Sequence, residues 1–237
     1  MYAPAYPHDD LIQLYEGVYL LHGSIKMGPG MRINRNMLIL KNELELVLVN
    51  PVRANEHVLE KIEKLGDVKR IFRLGDFHGL DDAFYLDRYK CEFWAQLGQE
   101  TYKTPEPTNL ISSDADCPLP NAVFYQFETA LYPEAALLLK DHKLLITTDS
   151  VQYHEDWSYF SWFTKFAFKM LGFKIGINIG PPWLKRVTPK GESLKEDFEK
   201  LLGMEFSSLI AAHGKLLKSG AKEMLKSEVK ETFGATS

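Results

Sequence analysis

Apolar residues recur along the chain at two periods, and each change of period marks a predicted change of element. Residues 14–21 read as a short strand. Residues 37–40 and 44–49 read as a hairpin turned by Lys41-Asn42-Glu43. From residue 56 to 65 the spacing becomes helical, with Val58, Leu59, Ile62 and Leu65 on one face and Gly66 as the stop. Residues 68–74 return to strand character, completing a β-α-β unit. Gly75-Asp76-Phe77-His78-Gly79-Leu80-Asp81-Asp82 follows as a strand-to-helix turn, and the apolar and aromatic residues of 83–97 predict the next helix.

Residues 101–120, rich in proline and polar side chains, read as a loop. Three strands are predicted next, at 122–127, 135–139 and 144–148, with Asp141-His142-Lys143 turning the last hairpin. Residues 153–173 are dense in aromatic side chains, and 172–182 read as Gly/Pro-rich irregular chain. Ser193-Leu194-Lys195-Glu196 has capping-box spacing and predicts a helix through Phe198, Leu201 and Leu202. Residues 208–212 form a short apolar strand ending at His213-Gly214, and the tail is a Lys/Glu-rich helix. No repeat divides the chain. With no Pro/Gly/Ser-rich linker, residues 1–237 are expected to form one α/β domain.

Three places share one arrangement, an apolar strand that runs into potential ligands. Ile71-Phe72-Arg73-Leu74 precedes Asp76 and His78, residues 144–148 precede Asp149, and residues 210–212 precede His213. Rigid strands fix positions while the following loops let side chains converge, which is why ligands collect at strand ends in α/β folds. Imidazole nitrogen and carboxylate oxygen suit zinc or iron, with manganese a further candidate for an oxygen-rich site.

Composition narrows the classes. The chain is 45% hydrophobic and 25% charged with a formal net charge of -4, enough for a large core and a solvated surface. That balance argues against a general phosphate-backbone binder, so no nucleic acid is expected. Cys91 and Cys117 are the only cysteines and form no C-x-x-C pair, which disfavours a disulfide scaffold or cysteine-based zinc site and suits a reducing cytoplasm. The first 19 residues lack the pattern of a signal peptide. Residues 160–173, interrupted by Lys165 and Lys169, are too short for a membrane span of about 20 apolar residues. Gly28-Pro29-Gly30 and Gly180-Pro181-Pro182 lack the lysine and helix of a phosphate loop and read as turns. No serine or cysteine stands in a nucleophile elbow.

The order of these features resembles the metallo-β-lactamase superfamily: an early hairpin, a β-α-β unit ending in a metal-binding turn, a strand ending in Asp and a late strand ending in His-Gly. In that family the turn reads His-x-His-x-Asp-His. The resemblance implies an αββα sandwich with the site at one edge of its paired sheets. It carries His78 onto the second histidine of the turn, Asp149 onto the metal-bridging aspartate and His213 onto the late histidine. Asp76 falls where the first histidine belongs, and Asp81 or Asp82 matches the final Asp-His pair if one residue is inserted after Gly79. The family's intermediate histidine is missing, because no histidine lies between Pro120 and Leu139. Glu128 and Glu134 are the only nearby acidic substitutes. The full two-metal set is therefore absent, leaving one altered metal or none.

Two functions follow as expectations. One is a metal-dependent hydrolase of a small ester, thioester or related bond, with a metal held by His78, Asp149 and His213 helped by Asp76 or Asp81, and with Asp81 or Asp82 orienting the attacking water. The other is a catalytically silent module that binds or assembles, as a homo-oligomer through the aromatic 153–173 region. Each residue also has a structural reading. Asp81 and Asp82 can cap the helix after them, and His213-Gly214 can be an ordinary turn. His154 reads as a surface loop residue, with an outer ligand the sharper alternative.

Overall fold

The computed structural model describes residues 2, 4–28, 31–157 and 162–234. They fall into two compact units, Met1–Ile111 and Ser112–Ser237.

The first unit holds β1 (Leu11–Tyr15), β2 (Val18–Gly28), β3 (Met31–Asn42), β4 (Glu45–Val49), α1 (Glu56–Leu65), β5 (Asp67–Phe72), α2 (Asp82–Tyr89), β6 (Glu92–Ala95) and β7 (Asn109–Leu110). Its seven strands form one sheet in chain order. β1 to β4 run antiparallel, and from β4 to β7 each pair is parallel. The expected β-α-β unit is β4-α1-β5. Asn55 starts α1 by accepting the Val58 N–H at 3.0 Å, and Val58, Leu59 and Ile62 bury against Leu46, Leu48 and Ile71.

Expectations in this unit change at several places, among them the predicted 101–120 loop, whose Asn109–Leu110 pair with β6 as β7. Residues 14–21 are not one strand: the chain reverses at Glu16-Gly17, where Gly17 adopts φ +70 and packs against the Lys41 carbonyl. Apolar residues on both sides of that turn conceal it. The helix predicted over 83–97 stops at Tyr89, where Lys90 turns left-handed at φ 50, and Phe93 and Ala95 then bury as alternate residues of a strand. Dense apolar sequence fits both periods over so short a stretch. The first hairpin is as expected, although its turn is Glu43-Leu44, between the paired Asn42 and Glu45.

The second unit holds β8 (Ala122–Gln126), β9 (Ala135–Leu139), β10 (Leu144–Thr147), β11 (Val151–His154), α3 (Trp162–Met170), β12 (Gly176–Ile179), α4 (Pro181–Val187), α5 (Lys195–Leu202), β13 (Ser208–Ala211) and α6 (Ala221–Phe233). Four strands pair in the order β13-β10-β9-β8, and β11 pairs with β12. β9, β10 and β13 are buried at every position, which explains their unbroken apolar runs. The stretch expected to be irregular contains β12 and the start of α4, whose Pro181 opens a helix because that position needs no N–H partner. α5 runs through Phe198, Leu201 and Leu202 as expected, but its N-cap is Leu194. Ser193 Oγ accepts the Lys195 N–H at 3.2 Å instead of forming a capping box.

In the aromatic stretch Trp157 and Phe168 are buried and Phe166 is exposed. Tyr159 and Phe160 lie outside the described residues, as do Pro29 and Gly30 of the early Gly-Pro-Gly turn. Among the described residues no helix is long and apolar enough to cross a membrane.

Candidate metal centre

In the first unit the turn after β5 carries four of the predicted site residues. Leu74 N–H donates to Asn50 Oδ1 at 3.0 Å and His78 N–H to the Gly75 carbonyl at 3.1 Å, which sets the turn's path. The Asp76 carboxylate accepts the backbone N–H of Glu100 at 2.6 Å and of Thr101 at 3.1 Å, together with the Thr101 hydroxyl. Asp81 accepts Arg35 Nη1 at 2.8 Å, and Arg35 Nη2 donates to the Pro51 carbonyl at 3.0 Å. Asp82, fully buried, lies 3.4 Å from Nη1 of the equally buried Arg73. Burial pushes the Asp82 carboxyl up to about 7, against the pull of Arg73 and Arg35. Asp81 occupies the N-cap of α2 without a side-chain capping bond, so neither aspartate acts as the simple cap that the sequence allows. Gly79 is required because a Cβ there would stand 2.3 Å from Arg73 Nη1 and 2.6 Å from the Tyr102 ring. His78 is 4% exposed.

In the second unit two strand ends deliver the other two residues. β10 and β13 are parallel neighbours with Thr147 opposite Ala211, so Asp149 and His213 each stand two residues past the end of a matched pair. The Ala212 N–H donates to the Thr147 carbonyl at 3.1 Å and carries the register one step further. The result is a contact of 3.4 Å between His213 Nε2 and Asp149 Oδ1, with both side chains about five-sixths covered.

Asp149 is held from both ends. Glu134 Oε1 accepts the Asp149 N–H at 3.1 Å and the Ser150 N–H at 2.7 Å. Gln152 Nε2 donates to Asp149 Oδ1 at 3.2 Å. Gly180 lets the chains close up, since a Cβ there would stand 2.1 Å from the Asp149 carbonyl oxygen. Glu134 lies where the expected intermediate histidine is missing. Burial, then the charge of Asp149, drives its carboxyl well above the usual range, although two backbone donors favour the anion.

His154 corrects the expectation of a surface histidine. It is 2% exposed, its Nε2 lies 3.1 Å from Gln152 Oε1, and the rings of Phe168 and Phe173 meet it edge-on. Burial, then the neighbouring His213, lowers its pKa to about 4. The sequence signal was its place at an inward position of β11, two residues beyond Gln152. Neither Glu134 nor Gln152 is legible in the sequence as a partner of Asp149, since buried amides and carboxyls have no periodic signature.

The donors fit a metal ion. Two ligands each about 2.0–2.1 Å from one tetrahedral zinc stand about 3.3–3.4 Å apart. The Asp149–His213 separation matches that figure and is long for a direct hydrogen bond between them.

No family model matches the sequence, and no curated protein matches it. Solved structures do. FIM-1, a metallo-β-lactamase from Pseudomonas aeruginosa solved in a mono-zinc form, superposes with a TM-score of 0.69 at 10% identity, over 97% of this chain and 98% of its own. The metallo-β-lactamase DIM-1 gives 0.68 at 11% identity, over 95% and 100%. A metallo-β-lactamase from Erythrobacter litoralis gives 0.65 at 15%, over 93% and 92%. The α/β fold of this chain is therefore the metallo-β-lactamase fold, the αββα class expected from the order of its motifs.

Proposed function

We propose that His78, Asp149 and His213 hold one divalent metal ion and that the chain is a metal-dependent hydrolase of a small ester, thioester or related bond. The observation that carries this reading is the 3.4 Å approach of His213 Nε2 to Asp149 Oδ1 from two parallel strand ends. His78 is added on the resemblance of its turn, giving a His-Asp-His donor set of the kind that zinc or iron accepts, with manganese less favoured by two imidazoles. The metallo-β-lactamase fold supports the choice of these three residues.

A bound ion would supply Lewis acidity and lower the pKa of a water toward roughly 7. The protein's own part is electrostatic and positional. Two neutral imidazoles and one carboxylate carry a single negative charge, so a dication keeps net positive charge for an oxygen atom of the substrate. Glu134, held toward its neutral form by burial, adds little charge beside Asp149 while its Oε1 fixes the backbone there. Asp76, Asp81 and Asp82 serve in this reading as the frame of the turn that presents His78. Asp76 is engaged by Glu100 and Thr101, Asp81 by Arg35, and Asp82 is closed off from solvent.

Elemental analysis of protein prepared without chelator tests the proposal. About one equivalent of zinc, iron or manganese is expected, and its loss in the His78→Ala/His213→Ala double variant. A stoichiometric metal that survives both substitutions overturns the assignment, and a folded wild-type chain that takes up no metal overturns the enzyme reading.

A further inference from the structure

Gln152 lies 3% exposed on β11, between Asp149 and His154. Its Nε2 is 3.2 Å from Asp149 Oδ1 and 3.5 Å from the Asp149 carbonyl oxygen, and its Oε1 is 3.1 Å from His154 Nε2. An ionised carboxylate and a carbonyl only accept hydrogen bonds, so the amide must present its NH2 to Asp149. Its oxygen then faces His154, whose Nε2 must carry a hydrogen. The donor sequence is fixed in one direction: His154 Nε2–H to Gln152 Oε1, and Gln152 Nε2–H to Asp149 Oδ1.

That chain has consequences for the carboxylate. A side-chain amide can turn over and exchange its donor and acceptor ends, and only a partner at its far end prevents this. His154 is such a partner, a ring packed edge-on against the stacked pair Phe168 and Phe173 and barely reached by water. Oδ1 is also the oxygen that approaches His213 Nε2. The hydrogen bond from Gln152 therefore sets the direction in which that oxygen's remaining electron pair points.

We infer that Gln152 is a positioning residue of the metal centre, which aims Asp149 Oδ1 and is itself oriented by the Nε2–H tautomer of His154. The inference rests on the reading that Asp149 and His213 are metal ligands. Outer partners of this type typically change metal affinity by about 10- to 100-fold when removed.

The test uses the full chain, with zinc as the probe. Competition against a chromophoric chelator should show zinc binding weakened about 10- to 100-fold in Gln152→Met, which keeps the length and loses the donor, and in Gln152→Glu. The visible spectrum of the cobalt-substituted protein should shift in both, a change that a merely structural role would not produce. Long-range proton–nitrogen NMR of histidine-labelled wild type should report His154 as the Nε2–H tautomer, with or without metal. Zinc binding and cobalt spectra unchanged in both variants overturn the role of Gln152 while leaving the metal site standing. An Nδ1–H tautomer for His154 also overturns it, and needs no variant to fold. A wild type that binds no zinc removes the proposed function and this inference together.

Discussion

Asp149 Oδ1 and His213 Nε2 meet at 3.4 Å because β10 and β13 run parallel in register and each residue stands two positions beyond the same rung. The pair is a property of the sheet, so replacing one member should alter chemistry more than structure. Asp149→Asn keeps the shape and the Gln152 neighbour but removes the one negative charge of the donor set. The expected outcome is metal affinity reduced by at least the roughly 10- to 100-fold known for outer partners, with little change in thermal unfolding of the metal-free protein. Chelator competition and a metal-free melting curve measured together check this. Equal affinity in the variant would remove Asp149 from the ligand set.

Gly214 follows His213 with φ +83, and a Cβ there would stand 2.1 Å from the Tyr153 carbonyl oxygen. The same segment bridges β11, since Tyr153 pairs with Gly214 and the Lys215 N–H donates to the Tyr153 carbonyl at 2.9 Å. Gly214→Ala adds the left-handed penalty of about 1–2 kcal/mol to a contact that forces the backbone apart. The variant should unfold at least several degrees lower and bind metal more weakly, because His213 moves with its neighbour. A melting temperature within a degree of wild type would contradict this placement.

The strand ends that carry Asp76, His78, Asp149 and His213 were legible because each closes an apolar run and is followed by turn chemistry. α1 was legible for a related reason, since the Val58/Leu59/Ile62/Leu65 spacing and Gly66 agree on one element, to which the structure adds Asn55 as N-cap. What stayed hidden depends on distant chain. The reversal at Gly17 is set by the Lys41 carbonyl, and the burial of His154 by Phe168 and Phe173, 14 and 19 residues further on. Glu134 reads in sequence only as one of two acidic substitutes, with Glu128, for the missing histidine. Only the folded second unit puts its carboxyl under the Asp149 backbone.

Tyr85 is wholly buried in the first unit, where its hydroxyl donates to the Val52 carbonyl at 2.7 Å and accepts the Ala54 N–H at 3.2 Å. These bonds hold the segment that leads into the Asn55 cap of α1. Tyr85→Phe keeps the ring and leaves both backbone groups without that partner, a loss of about 1–3 kcal/mol. Urea denaturation should show a lower midpoint at an unchanged slope. An unchanged midpoint would mean that water replaces the hydroxyl at no cost.

Asp82 makes stability depend on pH in the sense opposite to an ordinary surface carboxylate. Its carboxyl moves from 3.8 to about 7 on folding because burial disfavours the anion more than Arg73 favours it. The folded chain therefore holds this proton more tightly than the unfolded chain. Its contribution is fully present below the ordinary value, declines as pH rises toward 7 and is flat above that. One proton sets a limit of about 1.4 kcal/mol per pH unit on that decline. Glu134, raised by the same cause, adds to the slope, whereas the lowered carboxyls of Asp10, Asp87 and Glu205 act below it. Unfolding free energies of wild type should thus fall between pH 5 and about 7, and Asp82→Asn should flatten the curve there without abolishing the Glu134 share. Denaturant titrations at half-unit pH steps decide it. Slopes that coincide in the two proteins would show that Asp82 stays ionised beside Arg73.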